Sequence, residues 1–476
     1  MSTVCVIGGG PAGSTFAARM AQLGHDVCLV ERQSFPRRHL GESLSPGVLP
    51  LLEMTGDRQS VAARALRVRT VSVKWEQKRE VREDPREQGL IVDRGDFDQL
   101  LLERASALGV RVLQPAVVRE LSGGDGGWSL SVEGHGRTVR LDADLLADAR
   151  GRSGGPAGSR RRTGCRTLAL YAYWRGANLP RQPRIEAGRE AWYWGVPLPD
   201  GTYNTLAFVD VKCFHDRGRP GTSKATLAAR FLELLRRSAI MAGCDDAQRI
   251  GSVLATDATP YLDEHCATPS MIKVGDAALA IDPLSSSGVQ KAIQGALSAA
   301  IVANTLLRRH DMTDTALDFY RSSLAEASER HCRWAAGHYD KVVEQGGGPF
   351  WQDRAAGPMA VAPPPPRKLL DARALSATSV GLSRHLEFVD LPCIDGEFVV
   401  LKPAVRHPGL EGPVAYLGGQ ELTPLLRRLP VGSTPLEIAR SWSDRIPLES
   451  GLAIAGWMLN RGILVSHELG PGEGER

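Results

Sequence analysis

The stretch VCVIGGGPAGSTFAARMAQLGHDVCLVE, residues 4–31, decides the fold of this chain. Val4–Ile7 is a short apolar run, as expected for a buried central strand of a parallel sheet. Gly8, Gly10 and Gly13 then form the pattern G-x-G-x-x-G. In this pattern the first glycine permits a tight turn, the second lets a pyrophosphate approach the backbone, and the third lets a helix pack close to the strand.

The residues around these glycines supply the context that the pattern requires. A helix is predicted over Ala12–Leu23, with its N-terminal N–H groups and its dipole facing the phosphates. Gly24 ends this helix, Asp26–Val30 returns as a second strand, and Glu31 lies where an acidic side chain can hold a ribose hydroxyl. A glycine-rich turn of another α/β protein is the alternative, but strand, helix, strand and acid occur in the required order. We therefore expect a dinucleotide-binding site.

Length and composition are typical of a soluble globular protein with two to four domains. The 476 residues are 42% apolar and 24% charged, and the net charge of +4 does not indicate a nucleic-acid partner. No run of about 18 apolar residues occurs, so no transmembrane helix is predicted. The first strand begins almost at once, which leaves no room for a signal peptide. We expect a cytoplasmic protein that binds neither nucleic acid nor membrane.

The eight cysteines have no C-x-x-C spacing. Neither a disulfide framework nor a zinc site is therefore indicated, and no metal site is predicted. Cys5 and Cys28 fall within predicted buried strands, where reduced cysteine behaves as a small apolar residue. Arg160–Arg162 form a local basic cluster, which we interpret as a solvated loop; contact with an acidic partner or a phosphate is the alternative.

Further along the chain, other landmarks follow the glycine turn in a fixed order. They are Arg94 ahead of a helix predicted over Phe97–Leu108, the turn Asp148-Ala-Arg-Gly151-Arg152, and Gly275-Asp276 ahead of Pro283. In this order they resemble the flavoprotein monooxygenases of the p-hydroxybenzoate hydroxylase fold, over roughly residues 1–350. The resemblance implies FAD rather than NAD, bound by an α/β, Rossmann-like domain with which an antiparallel β-sheet substrate domain is interleaved.

The resemblance also implies the cofactor contacts. Glu31 would contact the adenosine ribose, Arg94 the FAD phosphates or ribityl side, and Asp276 the ribityl chain. The full implied set is Gly8, Gly10, Pro11, Ala12, Gly13, Glu31, Arg32, Arg38, Ser43, Arg94, Asp276, Pro283, Ser287 and Gly288.

Three finer motifs resemble the flavin-dependent halogenase branch of these enzymes. They are FPRRHLGESL at 35–44, the hexad Trp192-x-Trp194-x-x-Pro197, and DPLSSSGV at 282–289. The likeness implies that the backbone N–H groups of Ser287 and Gly288 lie near the flavin, where a halide can bind. It also implies that the hexad separates the flavin from the substrate side. Ordinary core packing is the alternative for the two tryptophans.

A lysine carries the oxidised halogen in the halogenases, and Lys74 falls near the expected place. Its flanking residues differ from the family pattern, and in an alternating strand it could simply face water. Ser285 stands where tryptophan halogenases have a glutamate. The catalytic candidates that the resemblance implies are Lys74, Glu42, Ser287 and Gly288; a hydroxylation base cannot be identified. His39 is expected to hydrogen-bond within its own loop.

The C-terminal part predicts a small winged-helix-like domain. Thr434–Glu437 is a capping box with proline at the first helical position, opening a helix through Trp442. A further helix is predicted over Pro447–Arg461 and is closed by Gly462. This ending resembles the winged-helix peptide-recognition modules attached to enzymes that modify ribosomal peptides. A packing or dimerisation lid is the alternative.

Together these likenesses imply an FAD-dependent monooxygenase that hydroxylates an aromatic ring through a flavin C4a-hydroperoxide. The preferred substrate is a tryptophan of a peptide or protein partner bound through the C-terminal domain, as in the flavoprotein monooxygenases that mature tryptophylquinone cofactors. Molecular oxygen is the expected co-substrate. NAD(P)H or a separate flavin reductase is the expected reductant, because no second G-x-G-x-x-G marks a nicotinamide domain.

A flavin-dependent halogenase is the nearest alternative, and a saturase-type reductase is the third. A non-catalytic flavoprotein chaperone of a maturing partner is the alternative from another class. The predicted segments are an FAD-binding domain (1–75, 101–165 and 256–350), a substrate domain (76–100 and 166–255), a linker (351–370, with the proline run 363–366) and a C-terminal domain (371–470).

Overall fold

The computed structural model describes residues 1–37, 39–75, 79–83, 89–154, 159–214, 224–357, 379–430 and 432–466. The chain divides into two compact units, Met1–Ala360 and Val361–Arg476. The proline run at 363–366 lies outside the described residues.

The first unit contains both strands and helices, and many of its strands follow one another without an intervening α-helix. In order the strands are β1 (Thr3–Ile7), β2 (Asp26–Val30), β3 (Ser43–Leu44), β4 (Leu66–Val68), β5 (Thr70–Lys74), β6 (Arg79–Glu83), β7 (Gly89–Ile91), β8 (Arg111–Leu113), β9 (Ala116–Gly124), β10 (Gly127–Gly134), β11 (Arg137–Ala143), β12 (Leu145–Asp148), β13 (Arg160–Arg162), β14 (Thr167–Arg175), β15 (Arg184–Ala187), β16 (Ala191–Pro197), β17 (Tyr203–Asp210), β18 (Gln248–Asp257), β19 (Tyr261–Asp263), β20 (Ala267–Thr268), β21 (Met271–Lys273) and β22 (Leu279–Ala280).

The helices of the first unit are α1 (Pro11–Gln22), α2 (Val48–Thr55), α3 (Arg58–Arg64), α4 (Arg94–Ala107), α5 (Lys224–Arg236), α6 (Gly288–Arg308), α7 (Thr313–Val343) and α8 (Pro349–Ala355). The second unit contains β23 (Val380–Leu382), β24 (Glu387–Asp395), β25 (Phe398–Arg406), β26 (Tyr416–Leu417), β27 (Gln420–Glu421), α9 (Leu422–Leu426), α10 (Pro435–Ser441), α11 (Leu448–Asn460) and β28 (Leu464–Ser466).

A six-stranded sheet in the order β20-β21-β12-β1-β2-β8 forms the dinucleotide-binding core. All its strand pairs are parallel except the edge pair β20–β21. Cys5 and Ile7 of β1 pack against the antiparallel strands β9–β11, and α1 packs against α4 and α6. The predicted hairpin turn between Gly123 and Gly127 joins β9 to β10. The parallel core explains why β1 is a continuous apolar run, since both faces of such a strand are buried.

A seven-stranded, mainly antiparallel sheet in the order β18-β14-β17-β16-β15-β5-β6 stands beside this core. Side chains of a strand alternate between its two faces. One face, here called the aromatic face, carries Trp75, Trp192, Trp194, Leu206 and Phe208 and packs against α7, α8 and Leu284. The opposite face, here called the helix face, packs Tyr193 and its neighbours against α5. The predicted domain division at residue 75 separates β5 from the sheet with which it pairs.

The tryptophan hexad lies within a strand, β16. β16 pairs with β15 on one side and β17 on the other. Its core position explains the aromatic and β-branched composition of the segment. Because side chains alternate along the strand, Trp192 and Trp194 lie on the aromatic face, whereas Pro197 lies on the opposite face.

Two predicted helices have different ends in the structure. α4 begins at Arg94, before the predicted start, because the Asp93 carboxylate accepts hydrogen bonds from N–H groups of the first turn. The amphipathic pattern of residues 222–242 predicts a helix as far as residue 242, but α5 ends at Arg236. The chain turns there, and the N–H of Ala239 donates to Glu186 Oε2 at 2.7 Å instead of continuing the helix. Both differences come from side-chain acceptors that redirect backbone donors.

The second unit has its own hydrophobic core around Trp442. The described residues of this unit form three short helices, α9–α11, and the two-stranded sheets β23–β28, β24–β25 and β26–β27; the winged-helix-like assignment stays a prediction. The predicted capping box is present: Thr434 Oγ1 accepts from the Glu437 N–H at 3.3 Å, and Glu437 Oε2 accepts from the Thr434 N–H at 2.9 Å. In the described part of the chain, no helix has the length and apolar character needed to cross a membrane.

Replacing Trp442 by alanine is expected to destabilise the second unit by about 3–5 kcal/mol. The indole is 1% exposed, and its Nε1 donates to the Leu425 carbonyl at 3.0 Å, so the change removes both packing and a hydrogen bond. Urea unfolding followed by circular dichroism measures the loss. Leu401→Ala is the control, because Leu401 is 49% exposed. Equal midpoints for the two variants would contradict the assignment of this core.

Candidate functional site

The glycine turn brings Glu31 back to the start of α1. Gly8 has a φ of +109°, and a Cβ there would lie 2.5 Å from the Ala149 carbonyl oxygen, so only glycine fits. The N–H of Gly9 donates to Glu31 Oε2 at 2.7 Å, and that of Gln33 donates to Oε1 at 2.8 Å. Each oxygen of this buried carboxylate retains acceptor capacity for a ribose hydroxyl.

The turn and the first residues of α1 form a cradle that fits a pyrophosphate. Gly10 is the N-cap residue and provides no side-chain cap, so N–H groups of the first turn remain for a ligand. Pro11 occupies the first helical position. A Cβ on Gly10 would lie 3.6 Å from Arg37 Nη2, which shows that a guanidinium faces the cradle. The chemistry of this donor set fits the diphosphate of FAD.

Arg94 is held by Asp98 and in turn holds the loop that contains Glu42 and Ser43. Its Nε and Nη2 donate to the two carboxylate oxygens of Asp98 at 3.0 and 3.2 Å. Its Nη1 donates to the Leu40 carbonyl at 2.6 Å. The next residue, Gly41, has a φ of +102°, and a Cβ there would lie 2.7 Å from Arg94 Nη1. Arg94 is therefore an anchor of this loop, whatever contact it makes with FAD.

Asp276 lies directly after β21, where its carboxylate meets two cations. Oδ1 is 3.0 Å from Lys291 Nζ, and Oδ2 is 3.6 Å from Arg152 Nε. Burial would raise the pKa of Asp276, but the two cations outweigh burial and hold that pKa below its ordinary value. The side chain is 37% exposed, so a ribityl hydroxyl can reach it.

The start of α6 presents backbone N–H groups that no side chain caps. Ser287 is the N-cap residue, but its Oγ donates to the Ser285 carbonyl at 2.9 Å. Asp282 Oδ1 caps the preceding short helix at Pro283, accepting from the Leu284 N–H at 3.0 Å and from the Tyr339 hydroxyl at 2.9 Å. The Ser287 N–H donates to Ser285 Oγ at 3.3 Å, so the predicted Ser287 donor is already used, and the donors suited to the anionic edge of a ligand are those of the first turn of α6, from Gly288 on.

The aromatic face carries a dense set of rings. Trp192 stacks on Phe208 with ring centroids 3.7 Å apart, and Trp75 meets Trp192 and Trp351 edge-on at 6.5 and 5.5 Å. Trp194 lies half-buried on the same face. Trp192 Nε1 is a buried donor with no hydrogen-bond partner among the described residues. An unpaired buried donor is costly, which makes it a candidate contact for a ligand acceptor.

Lys74 lies on the helix face of the same sheet. It stands opposite Glu186 in the parallel pair β5–β15, and Glu186 stands opposite Tyr193 in β15–β16. Lys74 Nζ bonds Glu186 Oε1 at 3.0 Å, and its side chain is 43% exposed. Its neighbours Val73 and Trp75 point to the aromatic face instead. Lys74 also lines a cavity of about 250 Å³ at the sheet edge, with Trp75 and Trp351.

Glu42, Tyr173 and Asn204, here called the Glu42 cluster, join the FAD-side loop to the aromatic face. Glu42 Oε1 accepts from Tyr173 Oη at 3.1 Å and from Asn204 Nδ2 at 2.9 Å. Glu42 is 4% exposed, and burial raises its pKa, although the hydrogen bonds from Asn204 and Tyr173 oppose that effect. Asn204 Oδ1 is buried and has no partner among the described residues.

Known proteins share this arrangement. The FAD binding domain family matches residues 1–171. A tryptophan 2-halogenase of Chondromyces crocatus is 31% identical over 67% of this chain and 64% of that enzyme, so the chain covers less than two thirds of its length. The structure of QhpG, a peptidyl tryptophan dihydroxylase essential for tryptophylquinone cofactor biogenesis, matches with a TM-score of 0.76 at 27% identity, over 97% of this chain and 99% of that one.

By sequence and by fold, this chain is similar to flavin-dependent monooxygenases and halogenases, and its residues 1–171 match the FAD binding domain family. The flavin-dependent halogenase CmlS also matches, with a TM-score of 0.77 at 22% identity over 99% of this chain and 97% of that one, which shows the shared fold. The predicted α/β fold class and the prediction of an FAD-dependent oxidoreductase are confirmed.

The structure of this flavoenzyme collects the predicted cofactor residues at the carboxyl ends of neighbouring parallel strands. Gly8 follows β1, Glu31 follows β2 and Asp276 follows β21. Ligands bind at this edge of α/β sheets. Arg32 is exposed directly after Glu31, and Arg38 lies outside the described residues. His39 bonds locally, its Nδ1 lying 2.8 Å from the Leu40 carbonyl. The individual FAD contacts stay predictions.

Several residues of the site were missed by the sequence reading, namely Arg37, Lys291, Tyr173 and Asn204. Lys291 carried a signal: it lies in the first turn of α6, where a cation opposes the helix dipole and needs a compensating anion such as Asp276. The other three carried none, because their partners are distant in sequence; 162 positions separate Asn204 from Glu42.

Replacing Gly13 by alanine is expected to abolish FAD binding. A Cβ at this position would overlap the Gly8 carbonyl oxygen, so α1 could no longer approach the turn. The flavin absorbance of purified protein, relative to protein absorbance, measures the effect. Gly337→Ala in α7 is the control, because a Cβ there meets no atom within 4 Å. A yellow Gly13→Ala protein would contradict the placement.

Replacing Lys291 by methionine is expected to destabilise the protein near neutral pH, less so in acid. Asp276 has a depressed folded pKa, so it contributes stability above its unfolded pKa of about 3.9, and this contribution is lost as the pH falls through the folded pKa. Removing Lys291 raises that folded pKa and shrinks the contribution. Thermal unfolding from neutral pH to well below the ordinary aspartate pKa of about 3.9 tests this, with the exposed Lys341→Met as control. A pH-independent difference would contradict the coupling.

Proposed function

We propose that this flavoenzyme oxygenates an aromatic ring, and that the ring is a tryptophan side chain of a peptide or protein partner. Molecular oxygen is the proposed co-substrate. The observation that carries the oxygenase over the halogenase is the side of the sheet on which Lys74 lies.

Lys74 does not share a face with the flavin-side residues. Leu40 and Leu284, which adjoin the Glu42 loop and the start of α6, pack into the cluster on the aromatic face. The ammonium of Lys74 lies on the opposite side and is engaged by Glu186. A halogen carrier has to reach both the flavin and the ring. Glu186 in turn accepts from the Ala239 N–H, which gives this ion pair a structural role beside α5.

The aromatic face supplies what ring oxygenation needs from the protein. Trp192 and Phe208 are buried against each other, whereas the half-buried ring of Trp194 on the same face can meet a flat apolar substrate by area and quadrupole complementarity. The same packing excludes water from the reacting atoms. Bound reduced FAD supplies the redox chemistry with oxygen, and the chain binds and orients the ring. NAD(P)H or a separate flavin reductase is the proposed electron source.

A peptide-borne substrate is supported by two features. The likeness to the peptidyl tryptophan dihydroxylase extends over 97% of this chain, both units included. In the second unit, β24 pairs only with β25 among the described residues, and Phe388 and Ile394 of β24 are 43% and 39% exposed. An open strand edge with exposed apolar side chains can accept an extended peptide as an added strand.

A halogenase remains the second candidate because Lys74 lines the cavity beside Trp75 and Trp351. In that case the substrate would approach the ammonium from the sheet edge.

The test is intact-mass analysis of short synthetic peptides, each with one tryptophan, and of N-acetyltryptophan amide. Each is incubated with the holoprotein, chemically reduced flavin, oxygen and excess bromide, beside a Lys74→Ala variant of equal FAD content. We expect oxygen to be added without bromine, equally in both proteins. Bromine incorporation that is lost in Lys74→Ala would establish the halogenase instead. Tight peptide binding with no mass change would favour a non-catalytic chaperone.

A further inference from the structure

The carboxyl of Glu42 crosses from the FAD-side loop to the aromatic face of the substrate sheet. Its backbone is fixed on the FAD side, where the Val92 N–H donates to the Glu42 carbonyl at 2.9 Å. Its side chain is fixed on the other side by Tyr173 of β14 and Asn204 of β17. These two residues stand opposite each other in the pair β14–β17, so they share a face with Leu206 and Phe208.

Both carboxylate oxygens of Glu42 accept hydrogen bonds: Oε1 from Tyr173 and Asn204, and Oε2 from the Gly41 N–H at 3.1 Å. Asp282, a half-buried acid beside the aromatic face, caps a short helix and bonds a tyrosine, so its carboxylate has a local use. Glu42 caps no helix and extends instead to two residues of the substrate sheet. Burying an acid in place of an amide is costly, because the charged form loses its hydration.

Asn204 indicates that a ring donor belongs beside this acid. Its Nδ2 is used by Glu42, while its Oδ1 is buried and unpaired among the described residues. A buried acceptor without a donor costs roughly 1–3 kcal/mol, which a ligand N–H would relieve. An indole N–H is a donor of this kind on an otherwise apolar ring. Tyr173 and Asn204 therefore frame a position for the ring within reach of Glu42.

We propose that Glu42 accepts the proton that the aromatic ring loses when it is oxygenated, and that Tyr173 and Asn204 are its positioning residues. This inference rests on the proposed function. In the step, a ring electron pair forms the C–O bond to one atom of dioxygen, activated by the reduced flavin. The C–H bond then breaks, its electron pair restores the aromatic ring, and the proton passes to the Glu42 carboxylate. The O–O bond breaks as the reduced flavin is oxidised by two electrons, and the second oxygen atom leaves as water. The ring, dioxygen and the two hydrogens of the reduced flavin thus give the hydroxylated ring, oxidised flavin and water.

The environment of Glu42 tunes it for this task. The groups that face it are Tyr171 and Tyr173 from β14, Asn204 from β17 and, behind Leu40, the paired Arg94 and Asp98 of α4. Burial raises the pKa of Glu42, and a base whose pKa approaches the working pH transfers protons most effectively. Because the base must be ionised, product formation falls as the pH drops through that pKa.

The experiment compares Glu42→Gln, Tyr173→Phe and Asp57→Asn with the wild type, as holoproteins of equal FAD content. The probes are the single-tryptophan peptides and N-acetyltryptophan amide. Glu42→Gln can keep the bonds from Tyr173 and Asn204 but loses the bond from the Gly41 N–H, and it cannot take up a proton. Its product formation is expected to fall about 100-fold, while oxygen consumption continues with release of hydrogen peroxide. The acid limb of the pH profile should disappear.

Asp57 provides the control, because it is another buried acid whose pKa burial raises and it lies outside the sheet. Asp57→Asn should keep both the rate of product formation and the acid limb of its pH profile.

Tyr173→Phe separates a proton role from a packing role. In the wild type, the hydrogen bond from Tyr173 lowers the pKa of Glu42. Because Tyr173→Phe removes this bond, the acid limb should move to higher pH in the variant. A merely structural residue would change the rate without moving the limb. Unchanged product yield and pH profile in Glu42→Gln, or an unmoved limb in Tyr173→Phe, would overturn the inference while leaving the proposed function in place. Absence of oxygenated product from the wild type would instead overturn the proposed function, and the inference with it.

Discussion

The carboxylate of Asp98 is the interaction on which the site depends. It is fully buried and binds two guanidinium groups, Arg94 by both oxygens and Arg37 at 3.4 Å. Arg37 faces the glycine cradle, and Arg94 holds the Leu40 carbonyl at the start of the Glu42 loop. A buried ion of this kind is tolerated only when its partners are well placed, so one carboxylate fixes the relative positions of the cofactor cradle and the loop.

The Glu42 loop connects Asp98 and Arg94 to the substrate sheet. From its anchor at Arg94, the chain turns at Gly41 and extends Glu42 toward Tyr173 and Asn204. This polar contact connects the seven-stranded sheet to the FAD-binding part of the first unit. It lies within an otherwise aromatic surface. On the cofactor side, Lys291 bonds Asp276 at 3.0 Å and ties α6 to the turn after β21.

The two faces of the substrate sheet differ in role: the aromatic face carries the proposed reaction, and the helix face packs against α5. On the aromatic face, Trp192 Nε1 and Asn204 Oδ1 are buried without hydrogen-bond partners among the described residues. On the helix face, Glu186 bonds both Lys74 and the Ala239 N–H after α5. Under the proposed function, the choice between an oxygenase and a halogenase depends on strand parity, since adjacent residues of one strand face different surroundings.

The sequence by itself determined the features whose causes are local. The G-x-G-x-x-G turn, the acid after β2, the capping box at Thr434 and the start of α6 each depend on residues within about one or two turns of one another, or on one βαβ unit. Only the tertiary structure decided which face Lys74 occupies and that Glu42 meets Asn204. Strand register and sheet order set those contacts, and they join positions far apart in the chain, where no local pattern records them.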